Sequence, residues 1–112
     1  MLFRSAQHDE AYEHLAAAVQ AHPDDPDLQA NLGWGAARLG RDAEARQALE
    51  AALTLDPARS LERYRLAVVL RRAGDSERAA ALVRTALAER PGAPWAESAR
   101  TLLRQIAPQE QP

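Results

Sequence analysis

The sequence contains no cysteine and no lysine. Without cysteine, neither a disulfide framework nor a thiolate metal site can form. The longest apolar runs are far shorter than the roughly 20 residues that a membrane span needs, and the first residues lead into a polar stretch instead of a signal-peptide core. We therefore expect no membrane partner and a cytoplasmic location.

Aromatic residues are also scarce, with two Trp, two Tyr and one Phe among 112 residues. The 46% hydrophobic content is carried mainly by Ala and Leu, which favours helices over strands. A formal charge of −2 gives no reason to expect a nucleic-acid partner, and the aromatic residues are too few for a base-stacking platform. All 14 basic residues are Arg, which together with the many alanines suggests a GC-rich, bacterial genome.

An internal repeat of 34 residues runs through the chain, because Pro23, Pro57 and Pro91 are separated by that step. Four further columns keep the same spacing and together form one face of a helix. These columns are Ala11, Ala45 and Ala79; Ala18, Ala52 and Ala86; Leu15, Leu49 and Val83; and Val19, Leu53 and Leu87.

Each repeat is predicted to hold two helices, because Gly40 and Gly74 follow apolar-periodic segments and suit the left-handed cap that ends a helix. Asp75 and Ser60 are predicted N-caps, and Pro26 and Pro94 suit a first helical turn. The predicted helices lie near 7–21, 26–39, 42–55, 60–73, 76–89 and 94–106.

The set of residues that carries this pattern resembles the tetratricopeptide-repeat signature: Asn31-Leu32-Gly33, Gly40, Ala45, Leu49, Ala52, Leu53 and Leu55-Asp56-Pro57. The resemblance implies an all-α fold, an α-solenoid of antiparallel helix pairs, that binds other proteins and is not an enzyme. The expected domain is 1–106, with a partial repeat 1–25, repeats 26–59 and 60–93, a capping helix 94–106, and then a polar tail 107–112. One departure is that the usual first-helix tryptophan is Gln29 or Arg63.

Residues that could carry chemistry are better explained by structure. Gly33-Trp34-Gly35 begins like a dinucleotide-binding loop, but no strand precedes it and Arg38 replaces the third glycine. His8, His14 and His22 do not share a helix face, which argues against a metal site. Asp24 and Asp25 suit a turn, and no serine has a nucleophile-elbow context. We expect no catalytic residue, no cofactor and no metal.

The resemblance implies that the first helix of each pair lines a concave groove for a peptide of another protein. The expected groove residues are Asn31, Trp34, Arg38, Tyr64, Arg65, Val68, Arg71 and Arg72, with Trp95, Ser98, Leu102 and Gln105 of the capping helix closing the groove. The family's carboxylate clamp is only partly present, because Asn31 and Arg65 match its pattern whereas Leu61 stands where a lysine is expected.

Two interpretations of the arginines stay open. Residues 60–73 hold four Arg against one Glu, a net charge of +3, which suits an acidic peptide with one apolar anchor. Alternatively, Arg is simply the chain's only strong cation, and this helix face is solvated.

The first repeat lacks most of its first helix, for which only Met1, Leu2 and Phe3 remain. The apolar face of Tyr12, Leu15, Ala16 and Val19 would then be uncovered, at about 25 cal/mol for each Å² left in water. We expect either a weak homodimer through this face, or a chain that is a structural piece of a larger multi-repeat protein.

Overall fold

The computed structural model describes the backbone from Leu2 to Pro108 and the side chains from Asp9 to Pro108. Met1 and most of the predicted tail 107–112 lie outside the described residues. Between Leu2 and Pro108 the chain forms six helices and no strand, which confirms the all-α prediction. The helices are α1 (Leu2–Ala21), α2 (Pro26–Arg38), α3 (Asp42–Leu55), α4 (Ser60–Arg72), α5 (Ser76–Glu89) and α6 (Ala96–Ile106).

Four helices agree with their predicted bounds to within one residue, and the two at the ends of the chain differ. α1 begins at Leu2 instead of near residue 7, so Leu2 and Phe3 belong to α1 and are not the end of a preceding helix. α6 begins at Ala96, so the prediction that Pro94 lies in its first turn is wrong. Pro94 instead lies in the turn that precedes the helix.

The capping residues are mostly as predicted. Pro26 is the first residue of α2, and the Asp75 carboxylate accepts from the backbone N of Arg78 at 3.2 Å. Gly40 and Gly74 have φ angles of 79° and 87°, in the left-handed region that favours glycine.

The prediction that Ser60 caps α4 is wrong. Arg59 occupies the cap position, and Ser60 is the first helical residue. Ser60 is buried, and its hydroxyl donates to Oε1 of Glu89 on α5 at 2.7 Å. The hydroxyl therefore links α4 to α5 instead of satisfying a backbone N–H of its own helix.

The chain divides into two compact units, Met1–Asp56 and Pro57–Pro112. In the first unit α2 packs against α1 and α3, and in the second unit α5 packs against α4 and α6. The repeated small residues lie at the helix contacts, since Ala45, Ala52, Ala79 and Ala86 have no exposed surface. The largest fully buried side chains are Leu49 in the first unit and Leu66, Val69, Leu70 and Val83 in the second.

The N-terminal apolar face is more covered than the sequence suggested. Tyr12 retains 8% of its surface, and Leu15, Ala16 and Val19 are half-buried. Leu15 packs close to Gly35 of α2, which has no side chain. The exposed apolar area that motivated a homodimer is therefore small among the described residues, and the homodimer stays a prediction.

A polar cluster joins α1 to the start of α3. The Tyr12 hydroxyl donates to Oε2 of Glu44, and the Arg41 guanidinium lies 4.7 Å from the centre of the Tyr12 ring. Arg41 also pairs with Asp9 at 3.4 Å and with Glu44 at 3.8 Å. Burial first, and then the Glu44 carboxylate, raise the pKa of Tyr12 to about 12, so its hydroxyl stays protonated as a donor.

No helix between Leu2 and Pro108 combines the length and the apolar character needed to cross a membrane.

Candidate functional site

One side of α2 packs into the first unit, and the other side is accessible. Asn31, Trp34 and Arg38 recur at helical spacing, so they lie on a single side of the helix. Asn31 and Arg38 are exposed and Trp34 is half-buried. Gly33 and Ala36 lie on the other side of α2 and are buried. We call Asn31, Trp34 and Arg38 the α2 face.

A cleft of about 220 Å³ adjoins Arg38 at the contact between α1 and α2. Its walls are mainly apolar, and Gly35 leaves space because it contributes no side chain. Arg38 contributes to this lining and is an exposed residue. The cleft can therefore hold an apolar side chain beside a carboxylate. The lining residues are Ala11, Tyr12, Leu15, Gly35, Arg38 and Leu39.

The other five predicted residues occupy one sector of α4. Tyr64, Arg65 and Val68 are half-buried, and Arg71 and Arg72 are exposed. The opposite side of α4 enters the core of the second unit through buried Leu66, Ala67, Val69 and Leu70. We call Tyr64, Arg65, Val68, Arg71 and Arg72 the α4 face. All eight predicted residues thus keep accessible surface.

The Tyr64 ring stacks on the Trp95 ring, with centroids 5.7 Å apart and planes inclined by 7°. Trp95 was expected within the capping helix, where it would close the groove, but it does not lie inside that helix. It is instead the N-cap residue of α6, and its ring lies against α4. This ring contact was not predicted, because the two residues lie in different helical segments and periodicity describes only one helix at a time.

The turn before Trp95 is held by Arg100 of α6. Nη2 of Arg100 donates to the carbonyl oxygen of Pro91 at 2.6 Å, and Nη1 pairs with Glu97 at 2.6 Å. These bonds connect the start of the turn to the helix that follows it.

The positive charge of Arg65 is partly neutralised by the carboxylate of Glu62 on the same helix. Its Nη1 lies 3.2 Å from Oε2 of Glu62, whose other oxygen lies 3.2 Å from Nη1 of Arg59. Glu62 is 5% exposed, so the carboxylate is buried between two guanidiniums. Arg65 therefore has a carboxylate partner within the chain, which argues against its assignment to the family's carboxylate clamp.

Arg63 is also paired, with Nη1 lying 3.0 Å from Oε1 of Glu89. Arg59 and Glu89 lie outside residues 60–73 but contact them, and because their charges are opposite the net charge of +3 is unchanged, whereas Arg63 and Arg65 each have a carboxylate partner. The exposed positive charge of the α4 face is therefore concentrated at Arg71 and Arg72, in the last turn of the helix.

The capping helix contributes less than predicted. Leu102 is 5% exposed, so the expectation that it lines a peptide groove is wrong. It faces the core of the second unit because α6 packs against α5. Ser98 and Gln105 are exposed. Among the side chains from Asp9 to Pro108, no three His, Asp or Glu residues form a group that could hold a metal ion.

Two family models described as tetratricopeptide repeat match the sequence, one over residues 2–61 and the other over residues 63–94. The first covers more than half of the chain. The protein therefore belongs to the tetratricopeptide-repeat family. No curated protein matches the sequence.

Solved structures share the fold at low sequence identity. The Yersinia enterocolitica type III secretion translocator chaperone SycD has a TM-score of 0.85 at 15% identity, over 96% of this chain and 77% of its own. PcrH, in complex with the chaperone binding region of PopD, has a TM-score of 0.83 at 18% identity, over 97% of this chain and 85% of its own. The first repeat domain of Spaghetti (RPAP3), bound to the HSP90 peptide SRMEEVD, has a TM-score of 0.83 at 22% identity, over 96% of this chain and 82% of its own. These similarities show an all-α helical-repeat solenoid.

Proposed function

We propose that this protein is an interaction module that binds peptide segments of another protein, with the α2 face as the candidate contact in the first unit and the α4 face in the second. The observation that carries the proposal is the separation of each helix into two sides. Small and aliphatic residues are buried on one side, whereas Trp, Tyr, Val and Arg keep accessible surface on the other. Aromatic and arginine side chains are the types most often found at the centre of protein interfaces.

The proposed peptide is acidic and carries an apolar residue. Arg38 lies beside an apolar cleft on the first unit, and Arg71 and Arg72 are exposed beyond Val68 on the second. Each unit thus combines an apolar contact with guanidinium donors that suit a carboxylate. Arg65 is a weaker candidate for this contact because it is half-buried beside Glu62, whereas Arg71 and Arg72 are exposed.

Three structures of similar fold are consistent with a peptide partner. SycD has been solved in complex with a peptide of the translocator YopD, PcrH with the chaperone binding region of PopD, and Spaghetti with an HSP90 peptide. Because the sequence identity to each is low, these complexes support the class of partner and not its identity.

The proposal can be tested with fluorescent peptides of matched length that differ only in the sign of their charge. We expect acidic peptides to bind more tightly than their basic counterparts, with binding that weakens as salt screens the charges. Replacing Arg71 and Arg72 by Glu should weaken binding at least about tenfold, because a lost charge-assisted contact is worth on the order of 1.4 kcal/mol or more.

The matched control is Arg78→Glu with Arg84→Glu, which changes the net charge equally at exposed positions of α5. Circular dichroism should show unchanged helicity for both double variants. Equal binding of acidic and basic peptides, or equal loss of binding in the control, would show that the arginines are solvated charges without a binding role.

A further inference from the structure

We propose that Tyr64 and Trp95 together bind one apolar or aromatic side chain of the partner peptide, and that Arg71 and Arg72 bind a carboxylate about three residues away from it. This inference rests on the proposed function and specifies the partner. It concerns only the second unit, where all four residues are described. Its basis is that Tyr64 of the stacked aromatic pair lies on α4, and that Arg71 and Arg72 are exposed further along this helix.

The aromatic pair has the geometry of a binding platform. Stacking covers one face of each ring, yet both residues remain half-buried and keep accessible surface. Flat aromatic surfaces take up apolar, proline and aromatic side chains with favourable contact area and specific ring geometry. The pair can therefore receive one such side chain without rearranging the core of the unit.

The platform is also formed before any peptide arrives. Trp95 is held at the start of α6, and Arg100 ties the preceding turn to that helix through the Pro91 carbonyl. Tyr64 lies in the second turn of α4, whose opposite side is fully packed. A rigid platform lowers the entropy lost when a ligand is ordered on it, which favours specific binding.

The spacing to the arginines follows from helix geometry. Tyr64 and Arg71 are seven residues apart, about two turns, so they lie on nearly the same side of α4 and about 10 Å apart along its axis. Half-buried Val68 lies between them. An extended peptide advances about 3.3 Å per residue, so a side chain on the platform places a carboxylate near Arg71 about three positions further along.

The arginines also have a structural role that the test must separate from binding. Arg71 and Arg72 lie in the last turn of α4, where positive charge complements the negative end of the helix dipole. If this were their only role, peptide affinity would not depend on where the acidic residue stands. The dependence on spacing is therefore the distinguishing measurement.

The experiment uses labelled peptides that contain one Phe and one Glu separated by one to six positions on a neutral background. Fluorescence anisotropy with the full chain should give the tightest binding at a separation of about three, with affinity at least about tenfold lower at one and at six. Replacing the peptide Glu by Gln, or the Phe by Ala, should each cause a similar loss, about tenfold or 1.4 kcal/mol.

Variant proteins then assign each contact. Trp95→Ala should weaken the binding of Phe peptides about tenfold and leave the binding of Ala peptides unchanged. Arg71→Glu with Arg72→Glu should likewise weaken the binding of Glu peptides about tenfold and leave the binding of Gln peptides unchanged. Because the comparison is made between peptides on one variant, a general loss of stability would affect both peptides equally. Arg78→Glu with Arg84→Glu is the control for net charge.

The outcomes separate this inference from the proposed function. Acidic peptides that bind equally well at every separation would overturn the inference and leave the proposed function standing. Equal weakening of Phe and Ala peptides by a Trp95→Ala variant whose helicity is unchanged by circular dichroism would also overturn it, because the ring would then not contact the peptide. If no acidic peptide bound at all, the proposed function itself would fail.

Discussion

Gly33 of α2 and Leu49 of α3 approach so closely that no side chain fits between them. An ideal Cβ on Gly33 would lie 2.7 Å from Cγ of Leu49 and 3.1 Å from its backbone N. Leu49 is fully buried, so its side chain has no open space into which to turn. The absence of a side chain at Gly33 therefore sets the separation of the two helices.

Alanine at the two glycines of α2 should have opposite effects. Gly33→Ala should lower the free energy of unfolding by about 1–3 kcal/mol, because the new methyl group forces α2 and α3 apart. Gly35→Ala should raise it by about 0.5–1 kcal/mol, because among the side chains from Asp9 to Pro108 a Cβ there meets only Leu15 Cδ1, at 3.6 Å, and alanine favours the helix. Urea unfolding of both variants tests the pair. Equal changes in the unfolding free energy of the two variants would mean that the contact with Leu49 does not restrict the size of residue 33.

Enlarging a buried alanine of α3 should also destabilise the first unit. Ala52 has no exposed surface, so Ala52→Leu overpacks the contact and should cost about 1–3 kcal/mol. Ala43→Leu, on the exposed side of the same helix, is the control and should change the melting temperature little. A wild-type melting temperature for Ala52→Leu would show that the repeat register is wrong.

The buried Glu62 carboxylate should matter more than an exposed one. Glu62→Gln leaves Arg59 and Arg65 without their shared carboxylate and should cost about 1–3 kcal/mol. Glu97→Gln removes another ion pair three residues apart, with Arg100, but the Glu97 side chain is 81% exposed, so the cost should be near zero. Urea unfolding compares them. Similar costs would indicate that burial adds nothing at Glu62.

Alkaline pH should weaken the contact of α1 through Tyr12. The folded pKa of about 12 exceeds the ordinary value of 10.0, so the protonated hydroxyl stabilises the fold. This contribution is complete below pH about 10 and is lost as the pH rises towards about 12. A difference of this size corresponds to about 2–3 kcal/mol. Unfolding free energies between pH 9 and about 11.5 should therefore fall more for the wild type than for Tyr12→Phe.

This pH range isolates the tyrosines, because the chain has no lysine or cysteine and arginine stays protonated. In a Tyr64→Phe background, Tyr12 is the only tyrosine, and its ionisation can be followed by ultraviolet absorbance. A midpoint near pH 10 in the folded protein would contradict the buried hydrogen bond to Glu44.

Much of the fold could be predicted from the sequence because its determinants are local. The 34-residue step places Ala52 and Ala86 at equivalent buried positions, and the prolines and glycines mark helix ends through their own backbone preferences. The residues of the α2 and α4 faces were expected from the resemblance to the tetratricopeptide-repeat family, and helical periodicity explains only why they share one side of each helix. None of these features requires knowledge of a distant residue.

Other features depended on the tertiary structure, because they join residues that are far apart in sequence. Folding places Glu89 beside Arg63 and Ser60, and stacks Trp95 on Tyr64. A charge count along one segment therefore gave the net charge but not which arginines are paired, since Glu89 binds Arg63 and Glu62 binds both Arg59 and Arg65. Side-chain ion pairs and ring contacts depend on distances of a few ångströms between helices, whereas periodicity determines only which side of its own helix a residue occupies.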